Sequence, residues 1–219
     1  MKRILQSAAA AAALLFVTLP AQADDHRTMS DQFMHHVQAV FEYEDKRQYV
    51  AATQYINTML HTGDMELSSY ERATLLQSRG RSYYALDLLF EAAADFQAAI
   101  DTGALTEDEV FERRRNIAQL HYLGGRYATS IAAYEQILES GHPRTGEGRF
   151  LIGLTQTYAG AEDWEKASET ADAFWAATAE DERSATDYRL LALIYEQAGD
   201  TARAEDITRQ RNELFPDAR

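Results

Sequence analysis

Four groups of residues have the types that chemistry uses. His35 and His36 are adjacent, Gly146-Glu147-Gly148 has the outline of a phosphate-loop fragment, and Glu107-Asp108-Glu109 and Glu180-Asp181-Glu182 offer paired carboxylates for acid–base work. Each fails on spacing or setting. Neighbours on a helix point about 100° apart, so the two imidazoles cannot chelate one ion as residues a full turn apart would. No strand pattern precedes the glycine pair, and no lysine–serine pair follows it. The carboxylate runs fall where helices begin, and negative charge there offsets the helix dipole. There is no G-x-S-x-G, no nucleophile beside a base and no dinucleotide fingerprint. The chain reads as non-enzymatic, without metal or cofactor. One remote branch stays open, an envelope enzyme assembled from distant helices with Glu44 or Glu112 as its carboxylate.

The elements that carry these residues repeat. With 3 prolines and 11 glycines in 219 residues, the chain has few of the turns an all-β fold needs, and helices are expected. The phrase NIAQLHYLGGRYATSIAAYEQIL (116–138) has four further matches, giving units that begin near Phe33, Ala73, Phe111, Gly148 and Ala185. Late in each first helix comes Tyr43, Tyr83, His121, Tyr158 or Tyr195. The second helix opens at Tyr49, Leu89, Tyr127, Trp164 or, more weakly, Thr201. Three residues later stands a small side chain, Ala52, Ala92, Ser130, Ala167 or Ala204, where two helices must approach closely. Gly125 and Gly199 mark turns within units. Gly63, Gly103 and Gly141 mark helix ends between them, and Ser68/Glu71 and Thr106/Glu109 have capping-box spacing.

This pattern resembles the tetratricopeptide repeat (TPR), two antiparallel helices in a unit of about 34 residues. The expectation is an all-α, right-handed α-solenoid of about five TPR helix-turn-helix units, near 33–66, 73–106, 111–144, 148–181 and 185–218. The polar last helix would serve as its own cap. The resemblance also implies that the first helices line an inner face through positions 2, 5, 9 and 12 of each unit. Those positions place Arg81, Tyr84, Arg115, Gln119, Tyr122, Arg149, Gln156 and Arg189 on a partner-binding surface, with apolar Met34, Val37 and Phe41 in the first unit. A guanidinium fork matches a carboxylate, so the implied partner is a peptide with acidic side chains or a free C-terminus. The alternative is that these arginines pair with the protein's own glutamates, as Arg115 could with Glu112.

Residues 1–23 have the pattern of a signal peptide: Lys2 and Arg3, an apolar run from Ala8 to Leu19, and Ala21-Gln22-Ala23 before Asp24. Residues 24–32 read as a short disordered lead, and 33–219 as the array. The net charge is −14, and loss of the leader would remove two cations and no anion. Such a field disfavours nucleic acid and anionic lipid. Cysteine is absent, which excludes disulfides and thiol chemistry. Export of an unstapled, acidic chain points to the periplasm, with secretion beyond the cell as the other branch and no stable membrane insertion after cleavage.

The stretch LSSYERATLLQSRGRSYYALDLLFEAAADFQAAI (67–100) together with 116–138 further resembles periplasmic TPR proteins that accompany TonB-type energy transducers, over about Phe33 to Thr178. That resemblance implies an accessory scaffold or adaptor in outer-membrane uptake. A module of outer-membrane assembly or of the division machinery is the other branch.

Overall fold

The computed structural model describes residues 27–62 and 66–217; the leader reading and the Gly63 cap lie outside them. Among the described residues there are ten α-helices and no strand. They are α1 (Asp31–Asp45), α2 (Tyr49–His61), α3 (Ser69–Ala85), α4 (Leu89–Asp101), α5 (Glu107–Leu123), α6 (Tyr127–Glu139), α7 (Gly148–Gly160), α8 (Trp164–Ala177), α9 (Ala185–Gln197) and α10 (Thr201–Leu214). Short 3-10 turns cover Pro143–Gly146 and Glu180–Glu182. This is the helical-repeat architecture expected of an α-solenoid. It comprises two compact units, one reaching Gly124 and the other starting at Gly125.

One turn recurs between first and second helices. Arg47 (φ 55°), Asp87 (φ 61°), Gly125 (φ 72°), Glu162 (φ 62°) and Gly199 (φ 88°) all adopt left-handed backbone. After it, the amide of the next residue donates back to the carbonyl of the tyrosine late in the first helix: Gln48 to Tyr43 (2.8 Å), Leu88 to Tyr83 (2.9 Å), Asp163 to Tyr158 (3.0 Å) and Asp200 to Tyr195 (2.8 Å). The left-handed residue itself donates three back, as Glu162 does to Ala159 at 3.1 Å. Together these bonds form a Schellman ending, which satisfies carbonyls that the helix end would otherwise leave unpaired. Only two of the five turns use glycine, so three carry an L side chain in a region that disfavours it.

The N-terminal unit packs Phe33, Val37, Val40, Ile56, Met59 and Leu75 into one cluster, and Ala92, Ala93, Phe96 and Leu120 into another. The small positions behave as the pattern requires: Ala52, Ala92, Ser130 and Ala167 are all fully buried, and Ala204 nearly so. Gly80 interrupts α3 for a packing reason. A Cβ there would meet the Phe96 ring at 2.7 Å. Glycine inside a helix costs about 1 kcal/mol against alanine, and here it admits an aromatic ring.

Polar bonds join neighbouring helices of this unit. Arg79 donates to both oxygens of Asp95, Nε at 2.7 Å and Nη2 at 2.6 Å, and also to Asn57 Oδ1, tying α3 to α4 and α2. Glu71 is 3% exposed. Through Oε2 it completes the Ser68 capping box, and through Oε1 it accepts from Ser30 N (2.8 Å) and Ser30 Oγ (2.9 Å) at the cap of α1. Burial would raise its pKa, but the hydrogen bonds from Ser30 and Ser68 outweigh burial and hold it below the ordinary carboxylate value. Residues 27–30, part of the lead in the sequence reading, therefore run across helix starts. Arg27 continues that path, pairing with Glu109 at 2.6 Å and lying 4.7 Å from the Tyr70 ring centroid.

In the C-terminal unit, Phe150, Leu154, Tyr188, Leu191, Ile194 and Ile207 are buried. Tyr134 meets Phe150 edge-on at 5.3 Å, and Trp175 meets Tyr188 likewise at 5.4 Å. Two tyrosines bridge to the preceding second helix. Tyr158 donates to Glu135 (3.3 Å) and Tyr195 to Asp172 (2.7 Å). A cation completes each group: Lys166 lies 5.2 Å from the Tyr158 ring and 3.7 Å from Glu135, and Arg203 lies 4.3 Å from the Tyr195 ring and 2.7 Å from Asp172.

Candidate partner-binding surface

The inner positions inferred from the repeat differ in what they present. In the N-terminal unit Arg81 is half-buried on α3, donating to Ser78 Oγ at 2.7 Å and to Glu44 at 3.4 Å. Arg115, on α5, is buried and bonds Glu112 through Nη2 at 2.7 Å and Nε at 3.2 Å. The intrahelical pair weighed in the sequence is thus formed. Gln119 and Tyr122, each 5% exposed, are buried in the same helix. Tyr84 is half-buried against the cluster of Ala92, Phe96 and Leu120.

Arg113 joins this group without being an inner position. It is buried, with its guanidinium 5.5 Å from the Phe96 ring centroid. Burial lowers its pKa most and the charge of Arg81 next, bringing it to about 10, with Glu112 and Glu109 opposing and Arg115 adding to the depression. It stays cationic at neutral pH. Arg113 thus lies near enough to Arg81 and Arg115 for their charge to act on it.

At the start of this unit, Met34 and Phe41 sit seven residues apart on α1, each about half exposed (50% and 49%). They hold repeat positions that carry polar residues in the next three first helices. A side chain at either is reachable from solvent.

The C-terminal unit presents Arg149 on α7, half-buried, Gln156, buried, and Arg189 on α9, exposed and donating to Thr186 Oγ1 at 3.3 Å. His36, from the histidine pair, bonds Tyr55 Oη through Nδ1 at 2.7 Å, while His35 is exposed. Among the described residues no three of His, Cys, Asp and Glu could hold a metal ion, and no helix is long and apolar enough to cross a membrane.

No protein-family model and no curated protein matches the sequence. Solved structures do. MamA (41-end) from Desulfovibrio magneticus RS-1 superposes with a TM-score of 0.69 at 14% identity, over 87% of this chain and 100% of that one. MamA AMB-1 gives 0.63 at 11% identity, over 86% and 94%. A Podosopora anserina putative kinesin light chain with nearly identical TPR-like repeats gives 0.62 at 16% identity, over 84% and 94%. At these identities the likeness is one of fold. By that measure, the chain is an all-α protein built on the TPR-like helical-repeat architecture.

Proposed function

We propose that this protein is an exported, non-catalytic scaffold of the bacterial envelope that holds an extended segment of a partner protein against its first helices. The observation that carries this reading is the half-buried Arg81 guanidinium, at an inner repeat position of α3 in a chain whose net charge is −14. A guanidinium within reach of solvent on an acidic molecule suits a segment bearing carboxylates or a free C-terminus. TPR-like relatives in shape, helix pairs with little else between them and the leader-like residues 1–23 all support a binding role outside the cytoplasm. The resemblance to proteins accompanying TonB-type transducers makes uptake through the outer membrane the proposed setting.

Fluorescence anisotropy with labelled acidic hexapeptides tests the binding. Free-acid peptides should bind more tightly than their amidated, neutral counterparts, lose affinity in salt, and lose it again in Arg81→Gln. Equal binding of neutral peptides would overturn the charge reading. Arg81 is the position to change because it is half-exposed. Reversing buried Arg115 beside Glu112 would damage the fold instead. Cell fractionation tests export: protein retained in the cytoplasm with residues 1–23 intact defeats it. For the uptake setting, a deletion strain should grow poorly on nutrients that require the transducer, and normal growth removes that part.

A further inference from the structure

The C-terminal unit contains a cleft of about 270 Å³ that the arginine reading leaves unused. At about 30 Å³ per water, it has room for roughly nine waters, or one long side chain. Its apolar lining comes from Ile152 on α7 and from Phe174 and Ala177 at the end of α8. Two carboxylates complete it, Glu182 from the 3-10 turn and Asp187 from the first turn of α9.

The cleft is held open by bonds around it. Arg183 Nη2 donates to the carbonyls of Trp175 (2.7 Å) and Thr178 (2.6 Å), and its guanidinium lies 3.7 Å from the Trp175 ring centroid. These contacts clip the 3-10 turn to the end of α8. On the other side, a Cβ at position 148 would overlap Thr178 Oγ1, so glycine there lets the end of α8 approach α7.

Acceptor capacity remains at the two acids. Asp187 takes both of its bonds, from Ser184 N and Oγ, on Oδ2. Glu182 takes its single bond, from Ala179 N, on Oε2. The second oxygen of each has no protein partner among the described residues. Thr178 Oγ1 is likewise buried without a hydrogen-bond partner there. Against these, Arg149 supplies the one cation of the lining, and exposed Glu180 and Asp181 add negative charge nearby.

We infer that this cleft docks a lysine side chain of a partner protein. Its stem of four methylenes fits the Ile152–Phe174–Ala177 surface, and its ammonium, three donors on a compact point charge, suits the spare oxygens of Glu182 and Asp187. The chain's overall acidity draws such a segment in.

Amide chemical-shift titration with acetyl-Ala-Lys-Ala-amide and its norleucine twin tests this. The lysine peptide should shift Gly148, Phe174 to Thr178 and Glu182, and the twin should not. Glu182→Gln, at an exposed position, should weaken binding about fivefold with an unchanged melting temperature. Ala177→Trp should fill the cleft and abolish it. Arg81→Gln should leave it intact, which separates this result from the arginine reading. Absence of shifts, or equal binding by the norleucine peptide, overturns the proposal. Binding of n-butylamine as tight as the peptide's overturns the choice of a protein segment as occupant.

Discussion

The two units use the same helix pair and the same turn but different polar connections. In the N-terminal unit the ties are buried guanidinium–carboxylate pairs and shared caps: Arg79 with Asp95, Arg115 with Glu112, and Glu71 under two helix starts. In the C-terminal unit they are buried tyrosines that meet half-exposed carboxylates and cations. Glu135, Tyr158 and Lys166 recur as Asp172, Tyr195 and Arg203, each shifted by the same repeat length. The difference follows from spacing. The left-handed turn residues Arg47, Asp87 and Gly125 are unevenly spaced, whereas Gly125, Glu162 and Gly199 keep one interval. A constant interval lets one joint be copied, and an irregular one forces each joint to be solved separately.

That contrast can be broken most sharply at Asp95. Asp95→Ala strands the Arg79 guanidinium, whose side chain is 14% exposed, and removing one partner of such a pair costs about 3–5 kcal/mol. Hydrogen exchange should show α2 to α4 losing protection while α7 to α10 keep theirs. Equal loss in both units would show that the buried ties are not local.

Glu71→Gln comes next. It removes charge-assisted bonds worth about 1.5–3 kcal/mol at neutral pH. Because the folded carboxyl titrates below its unfolded value, its contribution is present above the unfolded pKa and vanishes as pH falls through the folded one. The stability gap between wild type and Glu71→Gln, followed by denaturant titration, should therefore shrink in acid. A gap that stays constant with pH would assign the effect to packing.

Tyr195→Phe should cost about 1 kcal/mol, since it deletes one hydrogen bond to a carboxylate that also meets Arg203 near solvent. The companion Tyr158 offers a titration. Burial first, then the charge of Glu135, pushes its pKa up to about 12. A raised value favours the protonated fold, so this stabilisation is whole below the unfolded tyrosine pKa and fades as pH rises through the folded one. Ultraviolet titration should find Tyr158 ionising late, and Glu135→Gln should bring it down.

The smallest expected effect concerns the shared turn. Glu162→Gly relieves a left-handed L residue and should stabilise by about 0.5 kcal/mol, whereas Gly199→Ala should destabilise by about 1 kcal/mol. Thermal melts of both variants give the comparison. Destabilisation by Glu162→Gly would mean that its side chain contributes more than its backbone costs.

The helix pairs were legible because small and aromatic residues recur at fixed intervals, and the Ser68 and Thr106 boxes because serine or threonine precedes glutamate by three. The Ser184–Asp187 box escaped notice since its third residue is aspartate. Three of five left-handed turns carried no glycine to announce them. Arg113 was passed over as a non-inner position, although three successive arginines span some 200° of a helix, so one of them had to meet the packed side. The burial of Gln119 and Tyr122 depends on how tightly neighbouring helices close, which repeat position alone does not encode.

The tyrosine joint has a consequence for construction. Asp172 on α8 already meets the α9–α10 pair as Glu135 on α6 meets the α7–α8 pair. A second copy of the α7–α8 hairpin, spliced between α8 and α9, would offer Tyr158 and Lys166 to Asp172 at its leading edge and its own Asp172 to Tyr195 and Arg203 at its trailing edge. The C-terminal unit is in that sense a self-matching brick, whose length can be increased one course at a time without redesigning a seam.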